Sequence, residues 1–539
     1  MQRFSRSGSA TGSSLGRCLV LAVYLAFVMG PVLVLAVLTI QALLDGHLDW
    51  LQLAVPSGRR LSLLLGSVAL ALRVSVLSTA LGWLVAVLLW SRREGPAGGA
   101  VWLVLPLIAL PPYVHALAWY ALEDALGVFL APWGLSMGLL EGQRAALWVE
   151  TAAFAPLALG CAWLGLWGID GDLVDAGRAA RPDIQTLLRI VLPLSAPAIL
   201  TGAGIIFLLS LLDYSVPSLF HTPVYAMEIF AEFSASHRPE RAFLISIPLL
   251  ILAVAVIAAL LEPVRTVVTR VRIKGAAWTS PPHWPRWMAT VLAVAAFLFV
   301  AQALSPLLVM IYRSGHPAQF FATLADAAGE VRFSLWTAAL TALLTLPFAV
   351  TAARLLLRLG RSSRAVWLLI LVPFAIPGSL VGIGLVHLTN RPWLQTEVVA
   401  GLTPALAGVA RFAPLAALLV HAQFRRPDPL LHEAAQVFQP ACWRRQVQIS
   451  LPLVIPGLLA GAGLAFALSM GELAATLMVV PPGRATLTMR IYNYLHYGAT
   501  DTVAGLCLAL VVAALAAGMT AAGALALWSR IAAGGGVSR

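Results

Sequence analysis

Residues 193–213 read Pro193-Leu-Ser-Ala-Pro-Ala-Ile-Leu-Thr-Gly-Ala-Gly-Ile-Ile-Phe-Leu-Leu-Ser-Leu-Leu-Asp213, and 259 residues later the chain reads Pro452-Leu-Val-Ile-Pro-Gly-Leu-Leu-Ala-Gly-Ala-Gly-Leu-Ala-Phe-Ala-Leu-Ser-Met-Gly-Glu472. Ten of the 21 positions are identical, among them Pro193/Pro452, Pro197/Pro456, Gly202/Gly461, Gly204/Gly463, Phe207/Phe466 and Ser210/Ser469. Apolar bias would match some Leu and Ala by chance. It would not place two prolines, two glycines, a Phe and a Ser in register, so the chain is a duplication. Each copy is also an almost unbroken apolar run of about twenty residues, the length of helix that crosses a hydrocarbon core.

The rest of the chain has the same character. Its 539 residues are 60% apolar and 11% charged, with a mean hydropathy of +0.89. A soluble chain is nearer about 45–50% apolar and about 25% charged, so a water-facing surface cannot be assembled here. That excludes a soluble enzyme, a disordered chain and a secreted disulfide scaffold. The runs are too long, and alternate too little, for barrel strands, which leaves a helical bundle because hydrocarbon cannot satisfy an open backbone. About twelve spans fit: 18–43, 61–90, 100–122, 146–168, 193–219, 242–262, 287–311, 332–353, 365–388, 402–423, 452–480 and 502–529. The first run follows Arg3, Arg6 and Arg17 but is too long for a signal-peptide core, and it is expected to remain as a first helix. Of the 35 Lys and Arg residues, 23 fall in the segments this topology assigns to the cytoplasm, which places both termini inside. The +12 net charge therefore records topology and calls for no nucleic acid. Cys18, Cys161, Cys442 and Cys507 show no metal or disulfide spacing, the ten histidines are scattered and read as loop or interfacial residues, and no cofactor is expected on this chain.

Duplicated loops that face one side of the membrane require an even number of crossings per half. Six plus six follows, with the halves as parallel repeats about an axis along the membrane normal. The expected organisation is a first domain over 1–262, a polar, basic linker over 263–286 carrying Pro281, Pro282 and Pro285, and a second domain over 287–539.

The loop before each repeat is the most informative segment. The second runs Glu433-Ala-Ala-Gln-Val-Phe-Gln-Pro-Ala-Cys-Trp-Arg-Arg-Gln-Val-Gln-Ile449-Ser-Leu451-Pro452, and the first Asp175-Ala-Gly-Arg-Ala-Ala-Arg-Pro-Asp-Ile-Gln-Thr-Leu-Leu-Arg-Ile190-Val-Leu192-Pro193. Each sets an acid and two small residues on a short helix, then a Pro break, then a basic stretch ending at Leu-Pro. Small side chains admit a partner close to the backbone, and an acid near a helix start can pair with a partner arginine. This is the chemistry of a docking element.

The pattern resembles the EAA loop of binding-protein-dependent ABC importer permeases: E-A-A, three residues, G, nine residues, I-x-L-P. The second copy departs from it with Gln439 at the glycine position. The first is one residue short and carries Arg181 there. The resemblance covers essentially the whole chain and implies an all-α polytopic fold of the MetI-like type, with both permease domains fused in one chain. Fusion narrows it towards the iron(III) and thiamine permeases. It also implies that Asp175, Ala176 and Gly177 in one half, and Glu433, Ala434 and Ala435 in the other, couple to two copies of a cytoplasmic ABC ATPase. An extracytoplasmic solute-binding protein would deliver cargo to this multi-pass protein of the bacterial inner membrane. No phosphate-loop motif occurs in the chain, so the motor is expected on another polypeptide and this chain is expected not to be an enzyme.

The pathway is marked more faintly. Asp213 and Glu472 lie about twenty residues past each Leu-Pro, with Ser210, Tyr214 and Ser469 beside them. A carboxylate in a span costs about 2.5–3.5 kcal/mol on insertion scales and faces protein or water. Two readings stay open, a pair flanking the translocation route and attractive to a cationic solute, or residues capping helix ends. The outer loops 221–241 and 481–501, rich in aromatic and charged residues, are expected to help receive the binding protein. The competing function is a secondary transporter with parallel six-helix repeats driven by an ion gradient, which would not explain the two docking loops.

Overall fold

The computed structural model describes the chain outside residues 1–9, 93–106, 109, 131–140, 271–281, 360–363, 427–429, 431–433, 435–436, 439–441, 497–499 and 535–539. Every regular element among the described residues is helical. The first half contains α1 (Ala10–Val28), α2 (Gly30–Leu44), α3 (Arg59–Ser91), α4 (Pro112–Leu130), α5 (Gly142–Trp167), α6 (Gly171–Ala180), α7 (Leu192–Leu212), α8 (Ser215–Leu219), α9 (Tyr225–Ser236) and α10 (Pro239–Arg270). The second contains α11 (Arg286–Arg313), α12 (Ala328–Leu359), α13 (Arg364–Leu371), α14 (Gly378–Thr389), α15 (Glu397–Phe424), α16 (Leu451–Met470), α17 (Thr476–Val479), α18 (Leu487–His496) and α19 (Thr500–Gly534).

Among the described residues nine helices are long and apolar enough to cross a membrane, and two bent pairs bring the number to eleven. The expected span 18–43 is the pair α1 and α2, bent by 79°, and 365–388 is α13 and α14, bent by 89°. The second bend has a plain cause. Pro377 lacks an N–H and pushes Ile376 into an extended conformation (φ −83°, ψ 129°), which ends the helical ladder after a tight turn at Val372–Ala375. The remaining expected span, 100–122, is described in part: residues 100–106 and 109 lie outside the described residues, and α4 begins at Pro112.

The duplication is visible in the packing. Helices α3, α5 and α7 pack against one another, and so do α12, α15 and α16. The Ser67 hydroxyl accepts the backbone N–H of Tyr225 at 2.9 Å, fastening the start of α9 to α3. In the other half Ser334 accepts the N–H of Leu487 at 2.7 Å, fastening α18 to α12. Each docking loop also enters its spanning helix through a single wide π-turn, Leu187–Val191 before α7 and Gln446–Ser450 before α16.

The halves embrace each other. α1 packs on α12 and α15 of the opposite half, while α11 packs on α3 and α5. α2 and α10 cover α14, and α11 and α19 reciprocally cover α4. Tyr24 and Val28 of α1 are buried among Ala349, Ala352 and Leu356 of α12, and the Tyr24 hydroxyl donates to the carbonyl of Ile370 at 3.3 Å. Met288, Leu292 and Phe299 of α11 are buried against Val85 of α3 and Leu159 and Leu166 of α5. At Gly384 the backbones of α14 and α2 approach so closely that any Cβ would collide with the carbonyl of Pro31.

Two histidines differ from the interfacial expectation. His115 and His421 are buried in α4 and α15, and the His421 ring lies edge-on to Trp367 with Nδ1 3.1 Å from the carbonyl of Ala353. The segment expected as linker begins inside α10, which runs on to Arg270.

Candidate coupling loops and translocation cavity

The first docking loop is built on α6, whose start is capped by Asp170 accepting from the N–H of Asp172 at 3.3 Å. Asp175 is half-buried and Ala176 exposed, beside the exposed Leu173. Gly177 is buried and serves the loop itself, since a Cβ there would lie 2.5 Å from Ile190 Cδ1 and 3.0 Å from Thr186 Cγ2. The turn beyond is held by Asp183, whose Oδ1 accepts from Arg178 Nε at 2.8 Å and whose Oδ2 accepts the N–H of His283 at 2.6 Å. In the second loop Glu433 and Ala435 lie outside the described residues, and Ala434 is helical and exposed. Leu430, Val437 and Phe438 around it are 67%, 76% and 83% exposed. These apolar side chains stand exposed on an otherwise polar loop.

Between the halves lies a cavity of about 1190 Å³, walled by α5 and α7 on one side and α15 and α16 on the other. At one end it reaches Arg425 and Arg426, where α15 gives way to the second docking loop. At the other it is lined by Asp213, Tyr214, Arg411 and Glu472. Arg411 lies thirteen residues before the end of α15, which at 1.5 Å per residue is about 20 Å deeper.

Both acids cap helices while standing in the cavity wall. Asp213 Oδ1 accepts the N–H and hydroxyl of Ser215 at 3.0 and 2.7 Å, and Oδ2 accepts the N–H of Val216 at 3.2 Å, at the start of α8. Glu472 Oε1 accepts the N–H of Ala475 at 2.8 Å, just before α17, and Oε2 is ion-paired with Arg411. Each carboxylate therefore serves a helix start and also lines the cavity. Tyr214 is buried and stacks on Phe230 with ring centroids 6.3 Å apart. Ser210 and Ser469 are not in the wall: Ser210 donates to Glu150 of α5, and Ser469 donates to the Thr341 hydroxyl of α12 at 3.1 Å.

Sequence reasoning missed Glu150 and Arg411. Their signal is a second repeat, Phe154-Ala-Pro156-Leu-Ala158 and Phe412-Ala-Pro414-Leu-Ala416, 258 residues apart. In that register Arg411 corresponds to Ala153, and Glu150 to Gly408. The halves answer one problem differently: Glu150 meets the Ser210 hydroxyl, whereas Gly408 leaves room for Thr341, with a Cβ at Gly408 falling 2.6 Å from Thr341 Cγ2.

A duplicated helical bundle whose halves enclose a cavity has the architecture of a transport protein. Residues 345–529 match the family described as binding-protein-dependent transport system inner membrane component. A molybdenum transport system permease protein of Mycobacterium tuberculosis (strain ATCC 25618 / H37Rv) is 32% identical over 257 residues, covering 44% of this chain and 92% of the relative. A putative 2-aminoethylphosphonate transport system permease protein of Salmonella choleraesuis (strain SC-B67) is 29% identical over 255 residues, covering 43% of this chain and 94% of the relative. The molybdenum permease of Escherichia coli (strain K12) is 30% identical over 200 residues, 34% of this chain and 87% of the relative. The chain belongs to this family of ABC importer permeases. Each relative is matched along most of its length, 87–94%, by less than half of this chain.

Proposed function

We propose that this permease subunit supplies both membrane domains of one importer, 1–262 and 287–539 joined by the linker 263–286. Two ATPase subunits engage Asp175 and Ala176 at one loop, with Gly177 packed inside that loop to shape it, and Glu433, Ala434 and Ala435 at the other. Their closure is transmitted through the π-turns into α7 and α16, whose far ends carry Asp213, Tyr214 and Glu472. The loops face the cytoplasm, as do both termini, and an extracytoplasmic binding protein docks at the opposite face. The chain binds no cofactor of its own and performs no chemistry on its cargo. The observation that carries this reading is the pair of loops at equivalent points of a duplicated bundle, each leading through the same turn into a helix of the cavity wall. An ion-gradient-driven transporter would have no use for them.

Fusion of the halves favours iron(III), then thiamine, as cargo. The relatives named for 2-aminoethylphosphonate and molybdenum favour a different class, a small anionic solute. The test is disulfide crosslinking from Ala176→Cys and Ala434→Cys in membranes holding the native complex. A nucleotide hydrolase captured at both positions, with uptake abolished by non-hydrolysable ATP, is the expected result. Uptake that survives loss of the hydrolase but collapses with a proton uncoupler would overturn the proposal.

A further inference from the structure

The deep end of the cavity sets Arg411 beside two carboxylates and the Tyr214 hydroxyl, and their hydrogen-bonding capacity is unequally spent. Asp213 turns both oxygens to the start of α8, with three donors on them. Glu472 divides its oxygens between the N–H of Ala475 and Arg411. The acceptors at this end are thus committed to the protein. The donors are not: Arg411 Nε and the Tyr214 hydroxyl are buried without a hydrogen-bond partner. The guanidinium carries five N–H donors, of which Glu472 engages the Nη1 side. Arg411 and Glu472 lie close against Gly378, where a Cβ would fall 3.0 Å from Arg411 Nη1 and 3.1 Å from Glu472 Oε1. The missing side chain at Gly378 leaves room for the ion pair on the α14 side.

At the other end the lining cations are Arg425 and Arg426, so positive charge stands at the mouth and again about 20 Å further in. Ala153 stands where pseudo-symmetry would put a second deep arginine, so this charge is specific to the second half. A planar guanidinium with unspent donors suits an oxyanion, which offers several acceptor atoms and can take two parallel hydrogen bonds. A ferric ion or a thiazolium would meet carboxylates whose oxygens are already committed to protein donors.

We propose that Arg411 is the cargo-coordinating residue of the translocation cavity, that the cargo is a small solute bearing an oxyanion, and that Glu472 holds the guanidinium until cargo displaces it. Tyr214 supplies a second donor to the same group. This rests on the importer reading above, and the experiment separates the two.

The chain is reconstituted with its ATPase and native binding protein in liposomes. ATP-dependent uptake of radiolabelled molybdate, phosphate and 2-aminoethylphosphonate is compared with uptake of thiamine and ferric iron. The wild type is expected to take up at least one of the three oxyanions. Because Arg411→Met alone strands a buried carboxylate, the decisive variant is Arg411→Met with Glu472→Gln, which removes both charges and keeps an acceptor for Ala475. It is expected to retain ATP hydrolysis stimulated by the binding protein while losing oxyanion uptake by tenfold or more. Arg411→Lys should keep a reduced uptake, as a point charge without the fork. The proposal is overturned if the double variant transports the oxyanion at the wild-type rate, if it loses stimulated hydrolysis together with uptake, or if the wild type takes up only thiamine or iron. Absence of any ATP-dependent uptake by the wild type would instead bring down the importer reading, and this proposal with it.

Discussion

The ion pair of Arg411 and Glu472 is 14% and 7% exposed, and removing one partner does not cost what removing both does. A lone buried charge keeps its desolvation penalty and loses its compensation, so breaking such a pair costs about 3–5 kcal/mol, whereas replacing both members is often close to neutral. Arg411→Met is therefore expected to lower the melting temperature of the detergent-purified chain sharply, and the added Glu472→Gln to recover most of the loss. Equal melting of the single and double variants would contradict a buried, mutually dependent pair. Glycines give a second residue-scale expectation. Gly384 faces a backbone carbonyl that cannot rotate away, so Gly384→Val should cost at least the 1–3 kcal/mol typical of overpacking, read as lost expression and a lower melting temperature, while Gly66→Val on open surface should cost little. Residues of this kind were only partly legible in the sequence. Asp213 and Glu472 announced themselves because the duplication aligned them. Glu150 and Arg411 did not, because each stands opposite a small residue in the other half, and a comparison of the halves searches for likeness where the chemistry lies in the difference.

At the scale of elements, helix existence was readable from hydropathy and helix straightness was not. The span 365–388 satisfied a length criterion as one crossing, yet Pro373 and Pro377 fold it into α13 and α14 at 89°. Transfer free energy counts apolar residues and is blind to where the hydrogen-bond ladder breaks. The docking loops show the complementary case. Their acid-small-small pattern was legible, but the burial of Gly177 against Ile190 and Thr186 was not, since nothing in the spacing says whether a small residue faces a partner or its own loop. The two loops should consequently contribute unequally. The first is braced by Asp183, which ties Arg178 and the backbone of His283 to the turn, whereas the second surrounds Ala434 with exposed Leu430, Val437 and Phe438. Glu433→Lys is expected to reduce ATP-driven uptake by tenfold or more and to weaken recovery of the ATPase with the membrane chain. Asp175→Lys, on a half-buried residue of the less regular copy, should reduce both by only a few fold. Uptake rates and co-purification measured side by side decide the matter, and equal losses would contradict the ranking.

At the scale of the molecule, the reciprocal packing of first helices decides what counts as a folding unit. The duplication invites a picture of two self-sufficient bundles on a string. The contacts describe something else, because α1 is buried on α12 and α15, α11 on α3 and α5, and α14 is roofed by α2 and α10 of the other half. Removing one half would strip these faces of partners, among them Tyr24, Val28, Met288, Leu292 and Phe299, each less than one-tenth exposed in the intact chain. Lipid would replace protein on the apolar surfaces at little cost, since hydrocarbon tails are as apolar as leucine. It could not replace close packing at Gly384, nor accept the hydrogen bond of Tyr24. The chain split within 263–286 and expressed as two fragments together should therefore reassemble, co-purify and support uptake near the level of the intact chain. Each fragment alone should be degraded within a generation, as followed by pulse-chase in membranes. Accumulation of either fragment alone to the level of the pair would mean that the embrace adds nothing to folding. In that case the link between the halves would serve stoichiometry and not structure. The physical reason to expect otherwise is that helices which enclose one another's cavity wall must be made together if the cavity is to have two sides.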